Sequence, residues 1–236
     1  MKIPFRPITL DDKETITRYT LSDGYRNCDF AFANRCSWQY LYGSEYAVVD
    51  DTLLIRFYLD DGRPAYMMPQ GALPLTESIA LLIADAASLG HTLCLLGVSE
   101  KARMWLQEAF PERFHFVAER SYYDYIYLRT DLAALTGKRF QPKRNHINRF
   151  IKENPDYRYE PLTAGLVPVC LRFEEQWFAA NSDGDAESLD EERKAMIFAL
   201  HHFEELALAG GTLWAGDRLV AFTYGSPITN DTLGCT

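Results

Sequence analysis

The chain predicts an α/β protein of two successive units, each a mixed and mostly antiparallel sheet flanked by helices. The second unit is expected to be incomplete. Three observations lead there. Segments with period-two alternation are interleaved with segments of helical periodicity along the whole sequence. "YAVVDDTLLIRFY" and "GTLWAGDRLVAFTY" both set a two-residue turn between short strands, and both follow a pair of helices, which is a weak internal repeat. Apolar residues make up 47% of the 236 positions, enough to bury a real core.

Taken in order, a strand over Pro4–Thr9 precedes "LDDKETITRYTLSDG", a helix opened by Thr9 or Asp11 and closed near Gly24. A second helix covers about Phe30–Tyr42. Strands follow on both sides of Asp50-Asp51, and a third follows the turn at Asp61-Gly62. Thr76–Leu89 reads as a helix capped at Thr76 and ended by Gly90. "TLCLLGV" is a buried strand, and "SEKARMWLQEAF" is a helix capped by Ser99. "FHFVAERSYYDYIYL" supplies two further strands, on which Tyr122, Tyr123, Tyr125 and Tyr127 alternate as core or interface residues. After a basic stretch the order starts again: strand "YRYEPLT", two helices, then strands with turns at Gly216-Asp217 and Ser226-Pro227. The expected divisions are 1–135, a basic connecting helix over 136–155, and 156–236. The last strand would leave an open edge, through which a homodimer or another chain could complete the sheet.

The net charge of −9 argues against general nucleic-acid binding and leaves room for a local basic site. The N-terminal segment has no signal-peptide core, and no apolar window is long enough to span a bilayer, so a cytoplasmic protein is expected. The five scattered cysteines contain no C-x-x-C pair and read as reduced and mostly buried.

Against that acidic background "GKRFQPKRNHINRF" gathers Lys138, Arg139, Lys143, Arg144 and Arg149, with Lys152 just beyond. Pro142 suits a first helical turn. Ile147, Phe150 and Ile151 form one face, flanked by Lys143 and Arg144, with Asn145, Arg149 and Lys152 pointing away. Cations in a first helical turn oppose the macrodipole. Two readings account for them: a phosphate-bearing ligand held at the helix start by free amides with Lys143 and Arg144, or pairing with nearby acids such as Asp183, Asp185 and Glu187. In "RNCD", Arg26 and Asp29 could line a substrate cleft, while Asn27 and Asp29 are also ordinary helix caps. His201 and Glu205 stand at i,i+4 without a third ligand, so no metal site is expected. No nucleophile–base constellation stands out, and no catalytic residue is assigned.

The order β-α-α-β-β-β-α-β-α-β-β resembles the GNAT acyltransferase fold, and two such units in tandem resemble its aminoacyl-transferring relatives. "YIYLRTDLAALTGKRFQPKRNHINRFIKENPDYRYEPLT" and "RNCDFAFANRCSWQYLYG" are similar to the bacterial family related to the C-terminal domain of phosphatidylglycerol lysyltransferase. The resemblance implies transfer of an acyl or aminoacyl group, with aminoacyl-tRNA as donor, an anionic lipid head group as acceptor, and an acceptor site between the units. A non-catalytic binding module on a degenerate version of the fold is the alternative. Acetyl-CoA is not expected: where GNAT enzymes carry a Gly-rich pyrophosphate loop, "MMPQGALPLTES" has Gly71 alone, followed by Pro74.

Overall fold

A computed structural model describes residues 2–22, 25–181 and 186–235, with backbone only at 186–188. It is a mixed α/β structure with antiparallel sheets. Its strands are β1 (Arg6–Pro7), β2 (Glu45–Val49), β3 (Thr52–Tyr58), β4 (Pro64–Tyr66), β5 (Gln70–Gly71), β6 (Tyr157–Pro161), β7 (Ala209–Ala215), β8 (Arg218–Thr229) and β9 (Thr232–Cys235). Its helices are α1 (Lys13–Thr20), α2 (Phe32–Ser37), α3 (Gln39–Tyr42), α4 (Leu75–Ser88), α5 (Glu100–Ala109), α6 (Arg129–Ala134), α7 (Gln141–Glu153), α8 (Val167–Asn181) and α9 (Ala186–His201).

Two compact units emerge, and they are not consecutive in sequence. The first comprises Met1–Ala118, Asp183–Leu208 and Gly225–Cys235, and the second Glu119–Ser182 and Ala209–Tyr224. The strand β8 belongs to the second unit through Tyr224 and to the first from Gly225. One sheet runs β1-β2-β3-β4, with β5 also paired to β3. The other runs β6-β7-β8-β9. Both are reached by the same path: a first strand, a 3-10 turn (Leu10–Asp12 or Ala164–Leu166), two main helical segments, then three strands laid down in order. Even the residues before the two turns match in backbone, Thr9 at φ −127°, ψ 168° and Thr163 at φ −127°, ψ 162°.

In the first unit Ile3, Ala47, Leu54, Tyr66, Leu82 and Ala86 form a buried cluster between the sheet and α4. The β2–β3 hairpin closes at Asp50 and Asp51, both left-handed (φ 45° and 53°), the geometry that matches strand twist in a two-residue turn. Across it Tyr46 faces Ile55 and Ala47 faces Leu54. Gly71 of β5 lies so close to β3 that a Cβ would stand 2.3 Å from the Asp51 carbonyl oxygen. Its glycine therefore serves close backbone approach. In the second unit Phe140, Leu162, Val167, Cys170, Trp214 and Leu219 are buried.

Several elements differ from expectation for identifiable reasons. The second helix breaks at Trp38 (φ −98°, ψ 10°) into α2 and α3, and Gly43 ends it in the left-handed region. The residue at the α4 cap is Pro74, with Thr76 already inside the helix. "TLCLLGV" contributes a single parallel bridge, Leu95 to Tyr66. The Ser226-Pro227 turn is absent: β8 runs on to Thr229, and the irregular pairing at Pro227/Thr229 absorbs the proline's missing donor. Residues 114–128 enter no strand, because no ladder partner stands beside them among the described residues. The four tyrosines expected to pack there, Tyr122, Tyr123, Tyr125 and Tyr127, are exposed. Of the cysteines only Cys36 and Cys170 are buried, whereas Cys28 and Cys235 are exposed because a 3-10 turn and an edge strand carry them.

Candidate functional site

The cation-rich helix α7 is built from its turn upward. Leu135 ends α6 in the left-handed region (φ 47°), Gly137 takes φ 83°, and a 3-10 turn over Lys138–Phe140 runs directly into α7. Phe140, 5% exposed, is the apolar anchor of this turn. The Gln141 N–H donates to the Lys138 carbonyl and Pro142 has none to give, so this helix start offers fewer free amides than an unmodified one.

Four of the cations around it, Arg139, Lys143, Arg144 and Arg149, have partners within the second unit. Arg144 donates from Nη1 to the carbonyls of Leu135 and Gly137, the latter at 2.9 Å, and so ties down the end of α6. Arg139 lies 3.5 Å from Asp131 and over the Phe140 ring. Arg149 donates to Glu153 at 2.8 Å, one helical turn on. The Lys143 ammonium stands 5.8 Å from the centre of the Tyr127 ring. The Asn145 side chain is exposed. Asp183 and Asp185, proposed partners of these cations, lie outside the described residues, as does the Glu187 side chain. The acids that do pair, Asp131 and Glu153, are local. Sequence spacing could have flagged Glu153, at i,i+4 from Arg149; Asp131 required the fold of the α6–α7 turn.

Arg26 and Asp29 belong to the first unit. Arg26 pairs with Asp231 at 2.6 Å in solvent. The cap reading of this stretch holds for Asn27, whose Oδ1 accepts the Asp29 N–H at 2.7 Å. The Asp29 carboxylate accepts from Asn34 at 3.4 Å, and its carbonyl accepts from Arg35 Nε at 2.7 Å. Thus Arg26 and Asp29, three positions apart in sequence, face different partners. Arg35 was missed by sequence reasoning, although a single cation inside "FAFANRCSW" was the available signal. It is buried, stacks over Phe57 at 4.9 Å, and leaves Nη2 without a partner among the described residues. Burial pulls its pKa down, against the field of Asp29.

Two further polar clusters in the first unit were not visible in sequence. Arg56 donates to Glu45 and Asp85 at 2.7 and 2.8 Å, and Asp85 also accepts from the Tyr66 hydroxyl at 2.7 Å. Asp12 accepts from Arg6, Tyr46 and Thr9. Burial raises the Asp12 pKa, but the hydrogen bonds from Tyr46, Thr9 and Arg6 together outweigh it and hold the carboxyl below its usual range. With the folded pKa depressed, the stabilisation is complete above the unfolded value of about 3.9 and disappears as pH falls through the folded value. Urea unfolding of wild type and Asp12→Asn should therefore diverge near neutrality and converge as pH falls through the folded value, the variant showing the shallower acid limb.

His202 Nδ1 approaches Glu205 at 3.3 Å, and His201 points to solvent. Among the described residues no group of three or more His, Cys, Asp or Glu side chains is placed to hold a metal, and no helix is long and apolar enough to cross a membrane.

Fold and site together define an α/β protein with two antiparallel sheets of like connectivity and a cation-rich helix in its second unit. Residues 24–235 match the model of the family described as phosphatidylglycerol lysyltransferase, C-terminal, and the chain belongs to that family. It is similar to a solved structure from Bacteroides thetaiotaomicron, described as a conserved protein of unknown function. The two share 47% identity at a TM-score of 0.94, over 99% of this chain and 78% of that one. No curated protein matches.

Proposed function

We propose that the chain is an acyl- or aminoacyltransferase built from tandem GNAT-like units, with a phosphate-bearing donor or acceptor held at α7. The observation that carries this reading is membership of the lysyltransferase C-terminal family across residues 24–235. The shared path of the two sheets supports the tandem arrangement. Aminoacyl-tRNA is the donor and an anionic lipid head group the acceptor. The acceptor hydroxyl attacks the ester carbonyl, the bond to the tRNA ribose oxygen breaks, and the hydroxyl proton passes to that oxygen. Such a step draws mainly on positioning and charge. Lys143, Asn145 and Arg149 supply exposed donors and charge to phosphate, and Arg144 shapes the turn beneath them. Arg26 and Asp29 are offered as a separate substrate contact within the first unit. Gly71, engaged in a strand contact, supports a donor other than acetyl-CoA.

The same loss of an acyl-CoA loop favours, as a second reading, a binding module without turnover. Release of free tRNA and formation of aminoacyl lipid from charged tRNA and phosphatidylglycerol separates the two.

For the binding site itself, Lys143→Gln with Arg149→Gln leaves the Arg144 clamp intact. Binding of aminoacyl-tRNA and of soluble glycerophosphoglycerol should weaken, and the salt dependence for tRNA should lose a slope of about one per phosphate contact removed. Unchanged affinity and slope for both ligands would remove the site from α7.

A further inference from the structure

Among the described residues, the second unit carries an exposed apolar surface. Tyr122, Tyr125, Ile126 and Leu128 are 79%, 79%, 66% and 67% exposed. Tyr123 and Leu128 have extended backbone, and residues 123–128 belong to no strand. The neighbouring helix adds Ile147 and Ile151, both more than a third exposed, and α7 buries none of its residues. Lys143 over the Tyr127 ring ties the start of α7 to this segment. Scattered exposed apolar residues are ordinary, but a run of this density marks an interaction surface.

Its charge identifies the partner. From Glu119 to Lys152 there are eight lysines and arginines against three carboxylates, in a chain whose net charge is −9. A second copy would bring the same positive surface, which disfavours pairing of this face with itself. The aromatic residues are nearly all tyrosine, with an apolar ring and a polar tip, the composition of side chains that settle at a membrane–water boundary. Basic residues beside such a belt add attraction to anionic lipid. Double-stranded nucleic acid would use the cations and leave Ile126, Leu128 and Ile147 without apolar contact.

We infer that the Tyr122–Leu128 segment, with the exposed face of α7, docks this protein onto the surface of an anionic lipid bilayer. The tyrosine rings, Ile126 and Leu128 enter the head-group region, and the arginines and lysines meet lipid phosphates. Docking is a separate property from transfer chemistry: it places the second unit at a membrane whether or not α7 holds a soluble phosphate ligand.

The test compares sedimentation with vesicles of phosphatidylcholine alone and of phosphatidylcholine mixed with phosphatidylglycerol. Wild type should partition onto the anionic vesicles and stay in solution with the neutral ones. Tyr122→Ser/Tyr125→Ser/Ile126→Ser should lower that partition by about tenfold. These three side chains are exposed, so the variant should keep the wild-type melting temperature and its affinity for soluble glycerophosphoglycerol. Equal partition of wild type and variant would overturn the inference. So would binding to neutral vesicles as strong as to anionic ones. A concentration-dependent doubling of mass that the triple change abolishes, without vesicle binding, would assign the face to a second copy instead. If the Lys143/Arg149 variant binds soluble ligand normally while the tyrosine variant loses vesicles, docking stands and the α7 ligand site falls.

Discussion

Replacing Arg56 by alanine should lower the stability of the first unit by about 3–5 kcal/mol, because it strands a buried carboxylate. The Arg56 and Asp85 side chains are only 11% and 4% exposed, and Glu45 is 19% exposed. In the folded chain the guanidinium bridges Asp85 of α4 to Glu45 of β2 and lies over the Phe5 ring at 4.3 Å. Tyr66 donates to the same Asp85 oxygen, and burial first, then that hydrogen bond, pushes its hydroxyl well above the ordinary tyrosine range. Asp85 therefore keeps one neutral donor when Arg56 is lost, but no cation. Urea unfolding should show the lowered midpoint. The companion double change Arg56→Met/Asp85→Asn, which removes both charges, should recover most of the loss, since the cost comes from leaving one member alone. A single Arg56→Ala with wild-type stability would mean that the pair is well hydrated.

Phe140→Ala should destabilise the second unit by about 3–5 kcal/mol, the range for emptying a buried phenylalanine site. Phe140 is the buried residue of the turn that launches α7, and no residue of α7 itself is buried. Loss of this anchor should also free Arg139, which lies across its ring, and loosen the Leu135–Gly137 carbonyls gripped by Arg144. Hydrogen exchange should rise first in residues 135–153, and ligand affinity at α7 should fall with the local order. Phe140→Leu, which refills most of the volume, should restore both readouts. Exchange in 135–153 that stays at wild-type rates in Phe140→Ala would show that the helix is held from elsewhere.

Much of this molecule is legible in its sequence. The β2–β3 hairpin follows from two β-rich runs around Asp50-Asp51. The α5 cap follows from Ser99, whose Oγ accepts the Ala102 N–H at 3.2 Å. The family was legible in the Arg26–Gly43 and Tyr125–Thr163 blocks. What failed did so where a residue's role depends on a distant partner. "YYDYIYL" has the β-propensity of a strand, but propensity describes fitness for a pleated surface and cannot supply the neighbouring strand. Arg144 is legible as a cation near the helix start, but its two carbonyl acceptors depend on a left-handed Leu135 that no local rule announces. Arg35 was unremarked because a buried guanidinium is recognised by what surrounds it.

By itself, the sequence determined the mixed α/β class and the concentration of cations between residues 138 and 152. Each of these is written in short-range periodicity and composition, which act within one or two turns of chain. Only the tertiary structure decided which cations are tethered, which carboxylates are buried, and which apolar residues stay exposed among the described residues. Those outcomes depend on desolvation and on partners far away in sequence, and both are set when the chain closes on itself.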